Sequence, residues 1–103
     1  MKITVIITEN LSIQQIEHSH LLCLAWLNFE YQVSAVFVGS AFESICANSE
    51  TKKQWLALKH YGIDALYQFN ALPKTNEQHE ESYCQVIDQA HFDALKNMSD
   101  LII

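Results

Sequence analysis

Two apolar runs constrain the fold of this chain more than any other feature. Residues 3–8 and 33–38 are rich in β-branched and apolar side chains and show no alternation with polar ones. A strand that is apolar throughout is covered on both faces, which is typical of parallel sheets flanked by helices. Further strand-length runs occupy residues 65–69, 83–87 and 101–103, with helical periodicity in between. The sequence therefore predicts a three-layer α/β/α sandwich with a five-stranded, mainly parallel sheet.

The low fraction of charged residues predicts an oligomer subunit. The 103 residues are expected to form one domain, residues 1–103. Only 17% of them are charged, against about 25% in an average soluble domain. Some apolar area is therefore expected outside the core, and such a patch usually marks a protein interface. The candidate contributors are aromatic: Trp26, Trp55, Tyr61, Tyr67 and Phe69.

The charge balance argues against direct binding of nucleic acid. The net charge is −6, and all six basic residues are lysines. Phosphate is held mainly by Lys and Arg, so an acidic chain without Arg is poorly suited to it. No apolar run reaches the roughly 20 residues that a membrane-spanning helix needs, and no signal-peptide pattern is present. Three cysteines without a CxxC spacing fit a reducing compartment. We expect a cytoplasmic protein that does not bind membranes.

Capping patterns predict where the helices begin. Three pairs have capping-box spacing, a simple N-cap precedes a fourth helix, and one glycine is suited to a C-cap. These residues are Ser12 with Gln15, Ser40 with Glu43, Thr51 with Gln54, then Asp88, and Gly62. The predicted helices are residues 13–29, a short one that carries Phe42, Ile45 and Cys46, residues 52–61, and one that follows Asp88. The first helix has a wide apolar face, which predicts that it is largely enclosed.

The exits of the predicted strands carry few reactive groups. In parallel α/β sheets, ligands and catalytic groups lie outside the carboxyl ends of the strands. The third strand is followed there by Asn70, Ala71, Leu72 and Pro73, none of which is a nucleophile or a strong base. Residues 70–82 form a polar connection that is longer than compact domains usually need. We expect an α/β fold whose usual site is empty.

The three cysteines are weak candidates for catalysis. Cys23 lies on the apolar stripe of the first helix, where a thiol packs like a small hydrophobic group. Cys46 shares a helical face with Phe42 and Ile45. Cys84 follows the long polar connection, but it would lie at the amino end of the fourth strand and near acidic residues that raise a thiol pKa. We therefore expect no catalytic residue, with Cys84 or Cys46 as the alternative.

No cofactor or metal site is predicted. Phosphate loops need glycines that let backbone N–H groups close on the anion, whereas residues 8–12 contain Glu9 and no glycine. His18 and His20 are two apart on a helix and face different directions. His79 and Cys84 supply only two of the four ligands that a structural zinc site requires.

Several short segments resemble one family. Residues 35–42 (AVFVGSAF), which follow residues 29–33 (FEYQV), are similar to the strand and turn of DsrE/DsrF-like sulfur-relay proteins. Residues 58–64 (LKHYGID) and 100–103 (DLII) are most similar to the TusC (DsrF-like) branch. The resemblance covers nearly the whole chain and implies a five-stranded α/β/α fold.

The resemblance also implies a function and partners. TusC-type subunits assemble with TusB- and TusD-type sisters and relay persulfide sulfur towards 2-thiouridine in tRNA. The sulfur-carrying cysteine belongs to the TusD-type subunit, just after the third strand. That position falls near Tyr67 here, and no cysteine lies between Cys46 and Cys84. The resemblance leaves open whether the pathway is tRNA thiolation or intracellular sulfur oxidation.

Together these observations predict an accessory subunit rather than an enzyme. The expected function is that of a non-catalytic subunit of a cytoplasmic, TusBCD-like sulfur-relay complex with TusB-like and TusD-like partners. Tyr67 and Phe69 are the expected interface residues. Two alternatives remain at this point: a sulfurtransferase that carries persulfide on its own Cys84 or Cys46, and a free-standing homo-oligomer outside sulfur transfer.

Overall fold

A computed structural model describes residues 1–69 and 85–103 of the chain. The expectations for the connection 70–82 and for Cys84 fall outside these described residues. The elements, in chain order, are β1 (Lys2–Ile7), α1 (Ile13–Asn28), β2 (Gln32–Val38), α2 (Ala41–Cys46), α3 (Ser49–Ala57) with a 3₁₀ turn (Leu58–Tyr61), β3 (Ala65–Phe69), β4 (Gln85–Ile87), α4 (Gln89–Met98) and β5 (Leu101–Ile102).

The described strands form one parallel sheet of five strands in the order β4-β3-β2-β1-β5. The chain therefore steps outwards from β1 to β4 on one side and then returns across the sheet to place β5 at the opposite edge. Because parallel crossovers are right-handed, the two directions of travel place their helices on opposite faces. The predicted five-stranded parallel sheet is confirmed.

Separate apolar clusters cover the two faces of this sheet. On one face, helices α1, α2 and α3 enclose a cluster that includes Phe37 and Trp55. On the other face, α4 packs Phe92 and Leu95 against a second cluster that includes Phe69. Apolar side chains on both faces explain why the β1 and β2 sequences show no polar alternation. The predicted three-layer architecture is confirmed.

Three of the predicted helix ends are confirmed. Ser12 Oγ accepts from the Gln15 N–H at 3.2 Å while Gln15 Oε1 accepts from the Ser12 N–H at 2.8 Å, which completes a capping box. Asp88 accepts from the His91 N–H at 2.8 Å at the start of α4. Gly62 adopts a φ of 95° after the 3₁₀ turn, a conformation that favours glycine. Local sequence thus determines these termini.

The predicted capping box of Ser40 with Glu43 is wrong. Helix α2 does begin after Ser40, but the Ser40 side chain makes no capping hydrogen bond. Its hydroxyl donates instead to the carboxylate of Glu9, 31 positions earlier in the chain. The Ser40 hydroxyl therefore donates to a long-range carboxylate and does not accept from a backbone N–H of α2.

The predicted capping box of Thr51 with Gln54 is also wrong. Helix α3 begins at Ser49, and its N-cap is Asn48. The Asn48 side chain accepts from the N–H groups of Glu50 and Thr51 at 3.0 and 3.2 Å. Asn is as good an N-cap as Ser or Thr, so the earlier residue takes the position.

Helix α1 is less enclosed than its sequence predicts. Only Ile16 and Cys23 are buried among its residues. Leu21 is 62% exposed and Ile13 is 67% exposed. The α1 helix therefore leaves apolar side chains on the surface, and the expectation of an enclosed helix is wrong.

The aromatic residues expected on the surface divide into two groups. Trp55 is fully buried and Phe69 is 7% exposed, so the expectation that these two contribute apolar surface is wrong. Tyr61 is largely exposed, while Trp26 and Tyr67 are partly buried. Of the five predicted residues, Tyr61 therefore contributes apolar surface as expected, and exposed residues outside the prediction, such as Ile13, Leu21 and Phe29, add to it.

Candidate functional site

Two loops meet at the carboxyl edge of the sheet. Strands β1 and β2 are paired in register up to Ile7 and Phe37, and Val38 is paired with Phe69 of β3. The Gly39 N–H then donates to the Phe69 carbonyl oxygen at 2.9 Å, which extends the ladder by one residue. The segments that follow β1 and β2 therefore lie side by side at the edge where α/β folds place their sites.

A carboxylate joins these two loops. The N–H and the hydroxyl of Ser40 both donate to Glu9 Oε2, at 3.1 and 2.8 Å. The hydroxyl bond and then the N–H bond hold the pKa of Glu9 below its ordinary value. The carboxylate is therefore anionic at neutral pH, and it satisfies the N–H group where a phosphate loop would hold an external anion.

Gly39 fits this junction for two independent reasons. Its φ of +64° lies in the left-handed region that favours glycine. A Cβ atom at this position would also lie 2.8 Å from Glu9 Oε2, closer than real Cβ contacts allow. The Glu9–Ser40 contact and the glycine turn thus form one unit, which we name the Glu9–Gly39–Ser40 junction.

A small cleft opens beside the junction. Its volume is about 130 Å³, and it lies between the loop after β1, the first turns of α1, and helices α2 and α3. Leu11, Ile16 and Ile45 contribute apolar walls, and Ser44 and Asn48 are among its polar lining residues. Glu9 is the charged residue in this lining. Apolar walls with a few polar groups are typical of binding sites.

Neither of the described cysteines lines the cleft. Cys23 is fully buried, and burial raises the pKa of its thiol to about 12. A thiol with that pKa is almost entirely protonated at neutral pH and is a poor nucleophile. Cys46 is half-buried against the cluster below α1, α2 and α3. Cys84 lies outside the described residues.

Tyr67 and Phe69, the expected interface residues, point towards α4. The Tyr67 ring centroid lies 5.3 Å from that of His91, and the Phe69 ring stacks on Phe92 at 4.5 Å. Burial, and then the charge of Asp64, raise the pKa of the Tyr67 hydroxyl. Phe69 is thus a core residue, whereas Tyr67 keeps part of its surface accessible. An interface role for Tyr67 stays a prediction.

Two of the described histidines, His20 and His91, pack against aromatic rings. His20 Nε2 lies 2.9 Å from the Gln54 carbonyl oxygen, and its ring meets the edge of Trp55 at 5.5 Å between centroids. His20 therefore ties α1 to α3. Within residues 1–69 and 85–103, no three His, Cys, Asp or Glu side chains gather closely enough to hold a metal ion.

Sequence patterns missed the junction because its members are distant in the chain. Glu9 and Ser40 are 31 positions apart, and each has a plausible local role. One signal was available: Glu9 and Ser40 each lie two residues beyond the end of β1 and β2, neighbouring parallel strands. Residues that follow neighbouring parallel strands at the same distance meet at one edge.

Comparisons with known proteins add no family assignment: no protein-family model and no curated protein matches this sequence. In the part of the chain that the structure describes, every helix is too short or too polar to cross a bilayer.

Proposed function

We propose that this chain is a non-catalytic subunit of a cytoplasmic sulfur-relay complex that passes persulfide sulfur towards 2-thiouridine in tRNA. Its partners are TusB-like and TusD-like sister subunits. Its role is to complete the assembly and to shape the surface around a sister's sulfur-carrying cysteine. The proposal of this pathway is supported by the resemblance of residues 35–42 to DsrE/DsrF-like proteins and of residues 58–64 and 100–103 to their TusC branch.

The observations that carry the proposal are the spacing of the cysteines in the sequence and the burial of Cys23 and, in part, Cys46. In the resembled family the reacting cysteine follows the third strand, and this sequence has no cysteine between Cys46 and Cys84. Cys23 is sealed in the core with a raised pKa, and Cys46 is half-buried. The charged group at the β1 exit is Glu9, which would repel a persulfide anion. An α/β fold of this kind is suited to a structural role.

Exposed apolar side chains support the assembly part of the proposal. Ile13, Leu21 and Phe29 are each more than 60% exposed, and all three lie on or directly after α1. Single exposed apolar residues are common, and these three are spread along the helix, so they favour a partner contact with α1 without defining one continuous patch. The low charged fraction of the sequence points the same way.

The assembly test is co-expression with TusB-type and TusD-type sisters, followed by size-exclusion chromatography with light scattering. The proposal predicts one hetero-oligomeric peak that contains all three chains. A peak at the 11.8 kDa mass of the single chain, with the sisters eluting separately, would contradict it. Co-purification from the native host then identifies the natural partners.

A further inference from the structure

The cleft beside the Glu9–Gly39–Ser40 junction has an unused hydrogen-bond acceptor. Both bonds from Ser40 reach Glu9 Oε2. Glu9 Oε1 accepts no hydrogen bond from the described residues, and Glu9 as a whole is exposed. The carboxylate is therefore held in place by Ser40 through one oxygen, and Glu9 also lines the cleft.

The lining sets the chemistry of an occupant. Leu11, Ile16 and Ile45 offer apolar contact, and Glu9 carries the charge. An anionic occupant would be repelled, and a purely apolar one would leave the carboxylate oxygen unmatched. A cation at the end of an aliphatic stem satisfies both parts of the site, as lysine and arginine side chains do.

The size of the cleft indicates a single side chain rather than a free small molecule. Its volume of about 130 Å³ is well below the roughly 300–1,000 Å³ of ordinary small-molecule pockets. The protein itself has a net charge of −6, which favours association with basic surfaces.

We propose that this cleft is a docking pocket for a lysine or arginine side chain of a partner protein, whose cation pairs with Glu9 Oε1 and whose stem packs on Leu11 and Ile13. The lowered pKa of Glu9 keeps the carboxylate charged across the neutral range. The inference rests on the assembly part of the proposed function, because it names one contact that a sister subunit makes.

The test is a titration of the ¹⁵N-labelled chain, followed by amide chemical shifts. The probes are a blocked lysine pentapeptide, the same pentapeptide with norleucine, which keeps the stem without the ammonium, and n-butylamine. We expect the lysine peptide to shift the amides of Thr8, Glu9, Ser44 and Asn48 at millimolar concentrations. The norleucine peptide should bind more weakly.

Three variants separate the contribution of the Glu9 charge from that of the apolar wall. Glu9→Gln should weaken binding of the lysine peptide by about 1.4- to five-fold, the range expected for an exposed ion pair. Ile13→Ser, at an exposed rim position, should weaken the lysine and norleucine peptides alike. Glu30→Gln makes the same charge change at the opposite, amino edge of the sheet and should leave binding unchanged.

Three results would overturn the inference: no shifts at the cleft amides, equal binding of the lysine and norleucine peptides, or tighter binding of n-butylamine than of the lysine peptide. The last would identify a site for free amines. These outcomes are separate from failure of the proposed function. Assembly with the sisters can be intact when the peptide does not bind, and the peptide can bind when the sisters do not.

Discussion

Replacement of Gly39 by alanine tests whether the Glu9–Gly39–Ser40 junction is a structural unit. A left-handed backbone costs a non-glycine residue roughly 1–2 kcal/mol. Alanine also has less conformational freedom than glycine in the unfolded chain, which stabilises the folded state by about 0.4–1 kcal/mol. Strain alone should therefore lower the free energy of unfolding by about 1 kcal/mol, or the melting temperature by about 4–8 °C for a domain of this size.

Gly62 provides the matched control. Its φ of 95° carries the same kind of strain, but a Cβ atom there would meet nothing within 4 Å. At Gly39 the new Cβ would lie 2.8 Å from Glu9 Oε2, so the carboxylate must move and give up its bonds to Ser40. Gly39→Ala should therefore destabilise more than Gly62→Ala.

Urea unfolding of five proteins measures this difference: wild type, Gly39→Ala, Gly62→Ala, Glu9→Ala, and the double variant Glu9→Ala, Gly39→Ala. Independent sites add within about 0.3–0.5 kcal/mol, so coupling must exceed that margin. We predict that the Glu9→Ala background reduces the effect of Gly39→Ala to that of Gly62→Ala. Equal losses of stability for the two glycine variants, or additive losses for Gly39→Ala and Glu9→Ala, would show that Glu9 and Gly39 do not form one structural unit.

Three further predictions concern the core, a helix end and the strand beside α4. The Cys23 thiol has a pKa of about 12 in the folded chain and 9.0 in the unfolded chain. Its contribution to the free energy of unfolding is therefore complete below pH 9 and is lost as the pH rises towards 12. In urea unfolding measured against pH, Cys23→Ala should make this loss of stability smaller. Asp88→Ala should lower the free energy of unfolding by about 1 kcal/mol through loss of the N-cap bond to His91, while Asp88→Asn should change it little. Tyr67→Phe should lower the free energy of unfolding by at most about 1 kcal/mol. Tyr67→Ala should also raise the dissociation constant for the sisters, measured by analytical ultracentrifugation. Equal dissociation constants for the two variants would contradict an interface role.

Elements and layers could be predicted because their signals are local. Unbroken apolar runs identify β1 and β2 as strands covered on both faces, and Ser12, Asp88 and Gly62 identify helix ends through bonds within a few residues. The alternation of strands and helices then leaves few topologies, since crossovers are right-handed.

The site could not be predicted to the same extent because it depends on long-range choices between partners. Ser40 has Glu43 nearby as a capping partner, yet its hydroxyl bonds Glu9 across the sheet edge. Phe69 stands at the end of a strand, where the sequence alone predicts an exposed aromatic residue, yet Phe92 of α4 covers it. Which residue a side chain meets depends on the packing of elements, and a local pattern does not contain that information.

The proposed role is tested most directly by the 2-thiouridine content of tRNA in cells whose own TusC-type subunit is replaced by a Cys46→Ser, Cys84→Ser variant of this chain. The wild-type chain serves as the reference, and protein abundance is checked for both. A non-catalytic subunit needs neither thiol, so we predict the same 2-thiouridine content with the double variant as with wild type. Loss of 2-thiouridine at normal abundance of the variant would contradict the account and assign the sulfur to a cysteine of this chain.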